Sequence, residues 1–308
     1  MRPLRGIAYK LVSVVIFIAM VSMIKATAPR VPSGEAVFFR SFFALPVILM
    51  WLYHLQELRH GLRVNNPWGH AKRGVLGAVA MLFSFAGLGY LPLPEVTAIA
   101  YLAPLLTVVF AAIILGEEVR IFRISAVGLG LVGVTIVVWP KLTFLSPEVA
   151  MKAGDPEALG VALVMLGATF AALAHIFVRK LVQTDKTPAI VFYFSVTSIA
   201  LSLLTIPFGW VVPTPFEAAL LVCSGLLGGL GQIFLTAGYR EADASVVAPF
   251  DYTSMIFALL IGYFIFAEVP SLTTMAGAGL VIFAGILIIW REGRLEIERT
   301  KQRRAVES

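Results

Sequence analysis

The chain has 308 residues, a net charge of +6, 59% hydrophobic and only 14% charged residues, and a mean hydropathy of +0.91. An ordinary soluble domain carries about 25% charged residues, so this composition excludes one and describes a polytopic membrane protein. A single cysteine, Cys223, excludes an intramolecular disulfide and a cysteine metal site, and histidines at 54, 60, 70 and 175 are too scattered for a zinc or iron centre.

A helix needs roughly 20 apolar residues to cross a hydrocarbon core. Runs of that length predict ten spans, at 6–27, 34–54, 71–90, 94–115, 121–140, 158–178, 188–208, 217–238, 243–267 and 272–290. Arg2 and Arg5 before the first run and Ala26-Thr27-Ala28 after it mimic a secretory signal. Lys25 interrupts the approach to that cleavage site, and the repeat described below requires this helix, so it is expected to be retained. With the N-terminus inside, 19 lysines and arginines fall on inner segments and only 4 on outer ones, Arg40 being set aside as intramembrane. That excess predicts cytoplasmic termini. The basic residues lie between apolar runs, so they describe topology and imply no nucleic-acid partner.

Residues 96–139 align without gaps on 247–290 at a constant offset of 151, pairing Tyr101 with Tyr252, Glu117 with Glu268 and Trp139 with Trp290. Earlier in the chain an offset of 154 pairs Gly6 with Gly160, Lys25 with Arg179 and Phe38 with Phe192, while Gly89-Tyr90 matches Gly238-Tyr239. The expected organisation is all-α: a five-helix repeat at 6–140, an outer linker at 141–157, a second repeat at 158–290 and a basic tail at 291–308. Five spans per half make the second half enter the membrane from the opposite side. Inverted repeats of this kind place a solute site near the bilayer midplane, at the interface between the halves.

Two tandem five-helix units, the stretch FFRSFFALPVIL with its arginine, a proline within YLAPLLTVVFAAIILGEEV and a glutamate ending the fourth and ninth spans resemble the EamA-type branch of the drug/metabolite transporter superfamily. The resemblance covers about residues 6–290 and implies a ten-helix bundle with a central cavity between spans 1, 3, 4, 6, 8 and 9. It implies transport of an amino acid, drug or metabolite, including riboflavin-like vitamins, in a multi-pass bacterial inner-membrane protein. Met255 stands at the repeat position of Pro104 and Phe194 at that of Arg40, so the site is not expected to be strictly symmetric.

Asp251 lies inside an apolar span, where a carboxylate costs about 2.5–3.5 kcal/mol on insertion scales and so marks a pathway or a paired cation. Tyr252, Thr253 and Ser254 add hydroxyls beside it, and Pro249 removes a backbone donor and kinks or unwinds the helix. Asp251 is therefore read as a solute or proton-coupling site. Gln232 and Thr236 in a glycine-rich eighth span line a cavity or bond between helices. Arg40 binds a solute anion, or anchors the second span through Glu35 or Glu95. Tyr101, Tyr193, Tyr252 and Tyr263 are candidates for stacking on a flat solute, and His175 for a proton relay. Glu117, Glu268 and Pro104 read as structural or gating positions, with Lys141 or Lys152 as partners of Glu268. No P-loop is present, so transport driven without ATP by alternating access is expected, with a small solute and the lipid bilayer as partners and no cofactor or metal. Nothing in the sequence specifies an oligomer. An exporter of drugs or metabolites, a non-transporting receptor and a membrane-embedded enzyme are the alternatives, the last lacking a convergent catalytic set.

Overall fold

The computed structural model describes residues 3–54, 56, 61–116, 121–141, 156–242, 247–284, 286, 287 and 290. Among them every regular element is helical. The helices are α1 (Pro3–Thr27), α2 (Ser33–Phe42), α3 (Ala44–His54), α4 (Pro67–Gly87), α5 (Leu93–Ala100), α6 (Leu102–Leu115), α7 (Ile121–Val138), α8 (Pro156–Leu181), α9 (Thr187–Leu203), α10 (Pro215–Glu241), α11 (Ser254–Phe266) and α12 (Leu272–Ala284). Taking α2 with α3 and α5 with α6 as one broken helix each gives ten helical units among the described residues, five of them long and apolar enough to cross a membrane.

The breaks follow from proline. Pro46 and Pro104 each lack the N–H that would bond four residues back, and the chain leaves regular α-geometry three residues earlier, at Phe43 and Tyr101. In the ninth span Pro249 falls in a 3₁₀ segment, Ala248–Thr253, and α-helix begins only at Ser254. Helix starts are fixed by side chains. Asn66 accepts from the Gly69 amide at 2.9 Å with Pro67 opening α4, and Thr214 with Glu217 forms a reciprocal capping box with Pro215 opening α10.

The halves pack with a pseudo-twofold relation. The two most extensive helix contacts are α1 on α10 and α4 on α8, which pair the first span of each half with the third span of the other. Matched glycines allow both crossings. A Cβ on Gly238 would lie 3.2 Å from the Gly6 oxygen, and one on Gly87 would lie 3.4 Å from the Gly160 oxygen. These contacts make Gly87, rather than the sequence-matched Gly89, the counterpart of Gly238. Gly225 and Gly229 let α10 approach Phe39, Phe43 and Ala44, where added side chains would meet backbone atoms. In the outer layer α7 and α12 cross at Gly133 and Gly277.

Candidate functional site

Between the halves lies a cavity of about 300 Å³. Its wall takes Lys10, Phe17 and Val21 from α1, Val96 and Thr97 from α5, Tyr101 at the break and Pro104 from α6, with Asp251 and Ser254 closing the ninth-span side. A second cavity of about 190 Å³ shares Ser84, Phe85, Ala171 and His175 with it and extends to Arg73, Phe194 and Gln232. The combined space matches the lower range of small-molecule pockets, about 300–1,000 Å³.

At one end of this space the Lys10 ammonium meets the Asp251 carboxylate at 2.7 Å. The Lys10 side chain is 2% exposed and that of Asp251 28%, so the lysine is fully withdrawn while the carboxylate keeps a face on the cavity. Ser254 donates to the Asp251 carbonyl at 2.7 Å and meets the Tyr101 hydroxyl at 3.1 Å, tying the irregular ninth span to the break in the fourth. The 3₁₀ segment presents the Asp251 carboxylate to the cavity and the first residue of α11 the Ser254 hydroxyl.

Two buried arginines share the Phe194 ring. Arg40, from α2, is 1% exposed, donates to the Gly228 carbonyl at 3.3 Å and lies 5.2 Å from the Phe194 ring centre. Arg73, from α4, is 3% exposed, stacks on the same ring at 3.9 Å and donates to Gln232 Oε1 at 3.3 Å. Phe194 is the repeat counterpart of Arg40, so the pseudo-twofold relation brings a cation onto the aromatic ring that replaces it in the other half.

At one face of the bundle a charge network joins several spans. Lys25 Nζ meets Glu268 at 2.9 Å and donates to the Leu91 carbonyl at 2.9 Å and the Leu88 carbonyl at 3.5 Å, while the Leu93 amide donates to the other Glu268 oxygen at 2.8 Å. This network joins the ends of the first and ninth spans to the hairpin between the third and fourth. In the other half its counterpart is present in part: Arg179 donates to the carbonyls of Tyr239 at 3.0 Å and Ala242 at 3.3 Å, the repeat equivalents of Leu88 and Leu91. Glu117, the sequence counterpart of Glu268, lies outside the described residues.

Several sequence expectations change. Glu268 pairs with Lys25, on the α1 face turned toward the ninth span; Lys152 and the Lys141 side chain lie outside the described residues. Arg40 forms no ion pair with Glu35 or Glu95. Its partners are a carbonyl and an aromatic ring, and Glu35 instead accepts from the Val211 amide at 3.0 Å. Thr253 donates to the Phe250 carbonyl and Thr236 is buried, so neither lines the two cavities. Tyr193 packs on His70, Tyr263 is exposed, and Tyr101 lines the larger cavity. The Pro249 and Tyr252 side chains lie outside the described residues. His175 packs on Tyr239 and lines both cavities. Lys10 and Arg73, read from sequence as topological charges, line the cavities, and Lys25, read the same way, pairs with Glu268. Lys10 already falls inside the first predicted span, and that was the available signal.

A ten-span helical membrane protein whose two halves enclose a charged cavity has the architecture of a solute transporter. The chain belongs to the EamA-like transporter family, whose model matches it twice, at residues 4–139 and 158–291. It is 30% identical over 289 residues to the S-adenosylmethionine uptake transporter of Rickettsia felis, covering 94% of each chain. It is also 30% identical over 276 residues to the pseudopaline exporter CntI of Pseudomonas aeruginosa, covering 88% of this chain and 91% of that one. A solved crystal structure superposes with a TM-score of 0.68 at 20% identity, covering 96% of this chain and 100% of that one, a likeness of fold. The protein is a multi-pass membrane transporter of a small molecule.

Proposed function

We propose that the protein is a secondary transporter that moves a small organic metabolite across the bacterial inner membrane by alternating access, with both termini cytoplasmic. The observation that carries this reading is the central cavity between the halves, walled by Lys10 and Asp251 and separated from the outer face by the Lys25–Glu268 network. In the described conformation this network and its Arg179 counterpart at the other face are both formed. Opening the network requires Lys25 to leave Glu268 and the Leu88 and Leu91 carbonyls together. The bonds from Arg179 to Tyr239 and Ala242 are the equivalent contacts at the inner face, so each face has a latch built from the same repeat positions. Exchange between two such closures is the motion that inverted repeats provide.

Asp251 handles the solute or a coupled proton because its charge is held by a single lysine and faces the cavity. An amino-acid-like solute suits the charged walls, and the named substrates of the relatives, S-adenosylmethionine and pseudopaline, support an organic metabolite. Those relatives are an importer and an exporter at equal identity, and solute and ion gradients set direction here.

The test is counterflow in proteoliposomes preloaded with a metabolite mixture that contains S-adenosylmethionine, L-methionine and riboflavin, analysed by mass spectrometry. Saturable exchange of a solute, without ATP and without chemical conversion, is the expected result. Saturable binding with no exchange would identify a receptor, and conversion would identify an enzyme; either would overturn the proposal.

A further inference from the structure

Arg40 and Arg73 carry two positive charges inside the bundle, and neither belongs to any ion pair among the described residues, where the pairs are Lys10–Asp251, Lys25–Glu268, Arg30–Glu217 and His70–Asp185. Both side chains are more than nine-tenths buried. The Nε and Nη1 atoms of each make no hydrogen bond, so four buried N–H-bearing nitrogens are unmatched. Burying one unpaired charge is expensive, and two close together add mutual repulsion. Part of the cost is offset by Phe194, whose ring faces both guanidiniums. An aromatic ring does not neutralise charge.

Space has been kept for these groups. A Cβ on Gly77 would collide with Arg73 Nη1 and lie 2.7 Å from the Phe194 ring, and a Cβ on Gly228 would lie 2.8 Å from Arg40 Nε. Gly77 and Gly228 are repeat equivalents at the offset of 151. Arg73 and Gln232 line the smaller cavity, and the unmatched Arg73 nitrogens are themselves buried in this conformation, so a solute in that cavity meets them as the Arg73 side chain turns.

We infer that Arg73, with Gln232 beside it and Arg40 supplying further positive potential, is the subsite for an oxyanion of the solute, a carboxylate or a phosphate. A planar guanidinium matches either group with two parallel hydrogen bonds. Asp251, which lines the other cavity, is already paired with Lys10. The site as a whole therefore favours a solute with an acidic group at the Arg73 end. This inference rests on the transport reading of the same cavity.

The experiment is thermal unfolding of the full chain in detergent with sodium acetate, sodium phosphate or sodium chloride at equal ionic strength. A saturable rise in melting temperature beyond that in chloride is expected with at least one oxyanion, acetate indicating a carboxylate subsite and phosphate a phosphate subsite. The rise should vanish in Arg73→Gln and persist in Arg30→Gln, which removes a surface cation. Gln232→Glu supplies an internal carboxylate: it should melt higher without added anion and lose the anion response. No rise beyond chloride in the unaltered protein, or a full rise in Arg73→Gln, overturns the subsite. If Arg73→Gln does not fold, Gln232→Glu decides, and an undiminished anion response there overturns the inference. Solute exchange without any anion effect would defeat this inference and leave transport standing. An anion effect without exchange would do the reverse.

Discussion

Two lysine–carboxylate pairs join the same two spans, and they differ in a way that separates scaffold from site. Lys25–Glu268 is embedded in backbone hydrogen bonds from the neighbouring hairpin, and its lysine position recurs in the other half as Arg179 bonded to the equivalent carbonyls. Lys10–Asp251 has no such counterpart, since Val164 and Ala100 stand at the matching positions. It faces the cavity instead. Charge embedded in backbone bonds is repeated by the symmetry of the fold, whereas charge that faces the cavity breaks it. Arg40 and Arg73 follow the second pattern, with Phe194 and Ser224 in their places.

The largest expected effect comes from Asp251→Asn, which leaves a fully withdrawn Lys10 without its counterion. Breaking a buried pair costs about 3–5 kcal/mol, to be read by denaturation in detergent, and solute exchange should fall to background. Lys10→Met combined with Asp251→Leu should recover most of the stability but none of the exchange. Exchange at the original rate in the double variant would reduce this pair to scaffold. Gly229→Val tests the other class: its side chain would enter the Ala44 backbone, and overpacking of this kind costs about 1–3 kcal/mol. Unchanged stability would contradict the close crossing of α10 on the second span.

Glu268→Gln should cost about 1–2 kcal/mol, the scale of a charge-assisted hydrogen bond. Its more telling readout is access. With Cys223 replaced by serine and a cysteine introduced at Val96, labelling by an impermeant maleimide from the outer face should rise in Glu268→Gln. Equal labelling would mean that the network holds the fold and closes nothing. The smallest effect is expected at Ala267, which has a φ of +53° just before Glu268, where its repeat counterpart is Gly116 with a φ of +67°. Left-handed backbone is strained for a side-chain-bearing residue. Ala267→Gly should therefore raise stability by a few tenths to about 1 kcal/mol, the gain being limited by glycine's freedom in the unfolded chain. A loss would show that the alanine methyl contributes contacts worth more than the strain.

Much of the fold was legible because membrane insertion is a local problem. Each span must be long and apolar, prolines remove donors wherever they fall, and glycines at matched offsets mark close crossings. Pro249 was read correctly as a distortion. Pro46 breaks its span by the same mechanism and went unremarked, as its sequence surroundings differ little from those of an unbroken helix. The site was less legible. Asp251, Arg40 and Gln232 stood out as polar residues in apolar runs, but their partners Lys10 and Arg73 lie within two turns of span ends. There a cation on the bundle-facing side reads the same as one reaching for lipid headgroups.

The sequence by itself determined ten apolar helices, two repeats of five and a carboxylate out of place in the ninth span, because hydropathy, spacing and self-similarity are properties of the chain read in one dimension. Only the tertiary structure decided which charges meet. Lys10 finds Asp251 across some 240 residues, and Arg40 finds the ring of its own repeat counterpart, because the pseudo-twofold packing of α1 on α10 and α4 on α8 turns those faces inward. Helix rotation and crossing are set by contacts between distant segments, and these fix whether a buried charge ends up as scaffold or as site.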